Sequence, residues 1–142
     1  MNKCKRKRGF TLIELLVVMV ILGLLASLVA PKFFSKIGQS KVKTAKAQIE
    51  LLGSALDSFY LDVGRYPTTE EGLKALIKRP ESVPEDKWKG PYLPKTKIPK
   101  DPWGNPYVYK SPGEHGKYDL YSFGADGKEG GEGENKDIVS WE

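Results

Sequence analysis

Two places in the 142-residue sequence hold side chains whose types and spacing suit chemistry. One is residues 124–137, GADGKEGGEGENKD, with five acids and five glycines in fourteen residues. A Ca2+ ion takes about six to eight oxygens, mixing carboxylates with backbone carbonyls, and glycine makes the sharp turns that such a cage needs. The composition fits that ion. The spacing is not that of an EF-hand, because Asp126 is followed at alternate positions by Lys128 and Gly130 instead of acids. On composition alone a solvated flexible loop and a cation site both stay open. Mg2+ fits less well, since it demands near-octahedral geometry. The second place is Glu14, a lone carboxylate in an apolar run. Catalysis is not expected. His115 is the single histidine, in a turn beside Gly116, and no nucleophile–base pair or phosphate-cradling loop has workable spacing. The acids of the last loop cluster as cation ligands do, not as a separated acid–base pair.

Glu14 is the only charge in residues 10–30, a run rich in Leu, Val and Ile on every side. As a helix these residues span ~31 Å, the thickness of a bilayer's hydrocarbon core. A carboxylate at the interface would snorkel at little cost. One held within the membrane needs a cationic partner and marks a functional position. The run supplies no cation, so the partner must come from another chain or from an amine made by cleavage nearby. Ahead of the run lie Lys3, Lys5, Arg6, Lys7 and Arg8. With five of the 23 basic residues in the first nine positions and none of the 18 acids there, the remainder is formally neutral. No basic domain is left to spread over phosphates, so nucleic acid is not an expected partner. A secretory signal peptide with cleavage after Ala30 is the competing reading, although its apolar stretch is long and a charge at its front edge is unusual. Lys32, Lys36, Lys41, Lys43 and Lys46 follow the run and balance the leader charge for charge. The short leader is the easier side to retain, which puts the N-terminus in the cytoplasm. Cys4 is the only cysteine, so no disulfide forms within the chain; it is an incidental thiol or, beside a membrane, an acylation site.

The elements that position these groups follow from the pattern. Pro31 predicts a kink or local melt. Beyond it Val42, Ala45, Ile49, Leu52, Leu56, Phe59 and Val63 recur at alternating spacings of three and four, an amphipathic stripe that predicts helix over 31–61, ending before Gly64. Thr68 and Glu71 have capping-box spacing and predict a short second helix to about Lys78. Residues 80–106 carry seven of the ten prolines and read as a long irregular loop, with Trp88, Tyr92 and Trp103 expected to pin it to the helix in preference to lining an aromatic ligand groove. The alternating runs 107–109 and 118–123, separated by SPGEHGK, read as an antiparallel hairpin, with residues 138–141 as a third short strand. A sheet packed on the long helix makes an α+β head.

The sequence Gly9-Phe10-Thr11-Leu12-Ile13-Glu14 behind a basic leader resembles the processing signal of type IV pilins and pseudopilins. The later stretches YPTTEEGLKAL, DPWGNPY, SPGEHGKYDLYSFGADG and DIVSW narrow the resemblance to the major pseudopilins of type II secretion systems, over nearly the whole chain. The resemblance implies a pilin-like α+β fold, with a long N-terminal α-helix (membrane half plus amphipathic half) on a small antiparallel β-sheet with a long irregular loop. It implies a basic leader at 1–9 removed by prepilin peptidase between Gly9 and Phe10, N-methylation of Phe10, a transmembrane and assembly segment at 10–30, and a periplasmic head at 31–142. Glu14 would pair with the N-terminal amine of a neighbouring subunit, the cation that cleavage creates. The product would be a homo-oligomeric helical fibre, built with minor pseudopilins on an inner-membrane assembly platform, that drives folded proteins through the outer-membrane secretin. The resemblance also implies one Ca2+ in the last loop, with Asp126 and Asp137 as side-chain ligands and Phe123 and Lys128 as carbonyl ligands. Some relatives have two adjacent acids before the Ile, whereas Lys136 precedes Asp137 here, so Glu134 is expected to supply the missing carboxylate. Two other readings compete: a type IV pilin of a surface fibre, which often carries a C-terminal disulfide that this chain cannot form, and a membrane-anchored Ca2+-binding module that never polymerises.

Overall fold

A computed structural model describes residues 8–142; Cys4 and the leader residues Lys3, Lys5, Arg6 and Lys7 lie outside the described residues. The elements in order are α1 (Leu12–Val63), a 3-10 turn η1 (Leu73–Leu76), β1 (Val108–Lys110), β2 (Asp119–Ser122), a second 3-10 turn η2 (Gly133–Asn135) and β3 (Ile138–Val139). The chain divides into two compact units, one up to Ile37 and the other Gly38–Glu142.

The N-terminal unit is helical from Leu12 and contains the one described helix long and apolar enough to cross a membrane; none of its apolar window is buried within the described chain. Thr11 starts the helix, its hydroxyl accepting the Glu14 backbone N–H at 3.1 Å. Pro31 lies inside a continuous helix, so the expected melt is absent. Proline removes one backbone bond, and the turns on either side carry the helix through.

In the second unit the stripe read from the sequence becomes the core. Ala45, Leu52, Leu56 and Phe59 are fully enclosed or nearly so, Ile49 is buried, and Val42 and Val63 pack at the ends. Leu73, Leu76, Val83, Leu93, Tyr107, Tyr109, Leu120 and Ile138 cover them from the other side. The sheet is antiparallel with order β1-β2-β3, in the register Val108↔Tyr121 and Lys110↔Asp119 on one side and Tyr121↔Val139 and Ser122↔Ile138 on the other. Burial pushes the Tyr109 hydroxyl up to about 12, so it stays protonated and donates to the Pro67 carbonyl at 2.7 Å.

The expected second α-helix shrinks to η1. The Thr68 hydroxyl does accept the Glu71 N–H at 3.2 Å, but the next residue, Gly72, takes φ 63°, which turns the chain out of the helix. Glu71 does not reach back to complete the box; its carboxylate pairs with Arg65 at 3.0 Å and accepts from Ser82 at 3.1 Å. The long loop is pinned as read. The Trp88 indole donates to the Ala75 carbonyl at 2.9 Å, and the Tyr92 hydroxyl donates to Asp62 at 2.8 Å while its ring meets Phe59 edge-on.

Candidate functional site

The start of α1 is laid out in sequence order. Gly9 and Phe10 precede the helix without regular structure, Phe10 is 91% exposed, and among the described residues no heavy atom beyond the adjoining residues lies within 4 Å of where a Cβ on Gly9 would stand. Among the described residues nothing covers the Gly9–Phe10 bond. Glu14 is exposed in the first helical turn, three residues after its cap. Sequence reasoning missed this local role: Thr11 and Glu14 have the capping-box spacing, and an acid in the first turn also faces the positive end of the helix dipole.

The last loop is closed by its own backbone. The Ala125 N–H donates to the Glu134 carbonyl at 2.8 Å, and the Gly130 N–H donates to Asp137 Oδ2 at 3.0 Å, so the outgoing and returning arms are tied twice. Gly124, φ 77°, permits the crossing: a Cβ there would lie 2.6 Å from the Glu134 carbonyl oxygen and 2.9 Å from that of Lys136. Asp126 accepts the Lys128 N–H at 3.1 Å, folding a tight turn within the outgoing arm. Phe123 and Asp137 border one cleft of about 270 Å3, shared with His115, Asp119, Tyr121 and Trp141. Asp137 Oδ1 is buried and has no hydrogen-bond partner among the described residues. A buried acceptor without a donor is costly, and for a carboxylate oxygen a hard cation is the partner chemistry that satisfies it. This oxygen suits a hard cation such as Ca2+.

Glu134 departs from expectation. Its carboxylate lies against Gly38 of α1, where a Cβ would collide with it. The turn η2 aims the side chain at the helix and leaves only the Glu134 carbonyl for the loop. Among the described residues no group of three His, Cys, Asp or Glu side chains is placed to hold a metal, so Asp126, Glu134 and Asp137 do not converge.

Two buried carboxylates beside the loop went unread in the sequence. Asp101, 4% exposed, accepts the backbone N–H groups of Trp103 and Asn105 on Oδ1, at 3.1 and 2.8 Å, and the Ser122 hydroxyl on Oδ2 at 2.7 Å. Asp119, 3% exposed, accepts the N–H groups of Glu114 and His115 and meets His115 Nδ1 at 3.1 Å. The His115 ring stacks on Trp141 at 3.9 Å, which clasps the chain beyond β3. Burial raises the Asp119 carboxyl, but the two amides and the histidine outweigh it and hold it below the usual carboxylate range. A depressed folded-state value stabilises the fold fully above an unfolded value of about 3.9, and the effect is lost as pH falls through the folded value. Asp119→Asn is expected to lower stability by about 2 kcal/mol at neutral pH, the scale of hydrogen bonds to a charged acceptor. The parent and the variant should converge in urea midpoint below about pH 4; a gap that stays constant with pH would rule out the charge as its source. The signal available in the sequence was weak: an Asp before Pro in DPWGN, and an Asp at the head of a strand whose face proves to be buried.

Comparison with known proteins agrees with this geometry. Residues 32–141 match the protein-family profile described as type II secretion system (T2SS), protein G, and residues 4–30 match the prokaryotic N-terminal methylation motif. The type II secretion system core protein G of Pseudomonas aeruginosa is 51% identical over 140 residues, covering 97% of each chain. That of Vibrio cholerae is 45% identical over 142 residues, covering 99% of this chain and 96% of its own. The crystal structure of the major pseudopilin from the type 2 secretion system of enterohaemorrhagic Escherichia coli superposes with a TM-score of 0.62 at 33% identity, over 76% of this chain and 92% of that one. These matches favour a pseudopilus subunit over a surface-fibre pilin or a non-polymerising module. The long helix on a three-stranded antiparallel sheet, the methylation motif and the match through the last loop lead to one conclusion: the chain belongs to the protein G family of type II secretion systems, whose members are the structural subunits called major pseudopilins.

Proposed function

We propose that the chain is made as a precursor anchored in the inner membrane, with its N-terminus in the cytoplasm and its head in the periplasm. Prepilin peptidase cuts between Gly9 and Phe10, Phe10 is N-methylated, and an inner-membrane platform stacks the mature subunits into a helical fibre with minor pseudopilins. Segments 1–9, 10–30 and 31–142 serve as leader, membrane and assembly helix, and head. The fibre drives folded proteins towards the outer-membrane secretin. The observation that carries this reading is the open, non-helical Gly9–Phe10 bond immediately ahead of the Thr11 cap, with Glu14 in the first turn beyond it. Cleavage there puts a new amine within a few residues of the carboxylate, and methylation leaves that amine protonatable. Mass spectrometry of the chain produced with its peptidase should give a mature N-terminus at Phe10 bearing a methyl group. A start at Ser27, Pro31 or Met1 would overturn the processing scheme.

We further propose one Ca2+ in the last loop, held by the carboxylates of Asp126 and Asp137 and the carbonyls of Phe123 and Lys128. The ion supplies positive charge among five acids and joins the two arms of the loop. Support comes from the unpartnered Asp137 Oδ1 and from the cleft that Phe123 shares with Asp137.

A further inference from the structure

The buried pair Asp101 and Ser122 sits outside the last loop yet ends on it. Ser122 is fully buried at the end of β2. Its hydroxyl donates to Asp101 Oδ2 at 2.7 Å and accepts the Gly124 N–H at 3.2 Å. That N–H belongs to the peptide unit joining Phe123 to Gly124. The unit is planar and trans, so its N–H and C=O point in opposite directions from one rigid plate. Fixing the Gly124 N–H towards Ser122 therefore fixes the direction of the Phe123 carbonyl.

Asp101 is in turn locked. Its other oxygen takes the amides of Trp103 and Asn105, which hold the turn of DPWGN, and the Asp101 N–H itself donates to the Asn105 carbonyl at 2.8 Å. A hydrogen bond to an ionised acceptor is short and strong, and it polarises the hydroxyl that carries it. A Ser122 oxygen enriched in this way binds the Gly124 N–H more firmly, which draws electron density towards the carbonyl oxygen of the same amide.

We infer that Asp101 and Ser122 are positioning residues for the proposed cation, setting the direction and basicity of the Phe123 carbonyl through the Phe123–Gly124 peptide. This rests on the calcium reading above. The pair touches no ligand oxygen directly, and its effect passes through one amide. Groups that orient metal ligands in this way commonly contribute about 10–100-fold to affinity.

The test uses the full chain in detergent micelles, titrated with Ca2+ well below its melting temperature. Phe-Gly and Lys-Glu each occur once in the sequence, at 123–124 and 128–129. Carbonyl-13C Phe with 15N Gly therefore isolates the first peptide by NMR, and carbonyl-13C Lys with 15N Glu isolates the second. In the parent both signals should move on adding Ca2+. Ser122→Ala should weaken Ca2+ about 10–100-fold and change the Phe123 carbonyl response at saturation, while the Lys128 response is kept. Asp101→Asn keeps the size and the Oδ1 acceptor, so it carries the test if Ser122→Ala does not fold; it should weaken Ca2+ by a smaller factor. Parental affinity in the folded variants, even with a lowered melting temperature, overturns the inference and leaves the cation site standing. A parent chain that binds no Ca2+ removes the site and the inference together.

Discussion

Glu14→Gln is expected to insert in the membrane and start its helix as the parent does, yet fail to build fibres. Glutamine serves at the third position of a capping box as well as glutamate does, so the Thr11 cap, formed by its hydroxyl and the residue-14 amide, survives. Only the charge is lost. In the proposed fibre the carboxylate meets the methylated amine of Phe10 on a neighbouring subunit, among the Leu, Val and Ile side chains of residues 10–30. Breaking a buried pair by removing one partner costs about 3–5 kcal/mol, because the other charge stays buried and uncompensated. Each 1.4 kcal/mol is about a factor of ten, so the association of each subunit should weaken by two orders of magnitude or more. Glu14→Ala makes the useful contrast, since it removes the charge and the third-position side chain together. Fibre mass recovered by sedimentation, with the membrane-inserted monomer measured in parallel, separates these effects. Fibres at parental yield from the glutamine variant would leave Glu14 as a helix-start residue and nothing more.

The sequence carries most of the fold because periodicity is a local record of burial. The stripe from Val42 to Val63 needed no knowledge of its partners to be read, and its residues pack in the core. The hairpin was equally visible, since alternation in 107–109 and 118–123 marks two faces. Where the reading failed, a tertiary partner decided. Thr68 formed its cap bond, but Glu71 was claimed by Arg65 and Ser82, six and eleven residues away and both outside the predicted helix, and Gly72 turned the chain away. Glu134 has the charge of a ligand, yet the turn carrying it faces Gly38. Asp101 and Asp119 look like ordinary loop and strand-end acids until the fold encloses them and supplies amides from residues two to five positions away. Composition located the last loop, and only the fold could sort its acids into those that face inward and those that do not.

That sorting gives the other large effect. Chelating Ca2+ from the full chain in micelles is expected to lower the melting temperature of the head by about 10 °C. At a free concentration of 100 times Kd a ligand adds about 2.7 kcal/mol to the folded state. In a domain of about 100 residues each kcal/mol moves the midpoint by about 4 °C. Asp137→Asn should show the low midpoint with or without the ion, because it removes the charge on the half-buried carboxylate whose Oδ1 is enclosed and has no partner among the described residues. Glu134→Gln should keep the parental Ca2+ response, since its carboxylate stands at Gly38 and not among the ligands. Loss of the response in that variant would instead return Glu134 to the coordination shell, and a parent indifferent to chelation would remove the site altogether. The effect should be large because of what the loop holds. Asp137 immediately precedes β3, a strand of two residues whose attachment to β2 is extended only by Ser140, which donates its N–H to Leu120 at 2.9 Å and accepts the Leu120 N–H at 3.2 Å. So short a strand has little pairing of its own. Without the cation, five acids repel within fourteen residues directly upstream of it, and Asp137 Oδ1 is left buried with no donor. The proposed ion would therefore stabilise the outer strand of the sheet by tying the segment before it to the outgoing arm, and its removal should expose the amides of Leu120 and Ser140, which bond across β2 and the end of β3, to hydrogen exchange before the helix core responds.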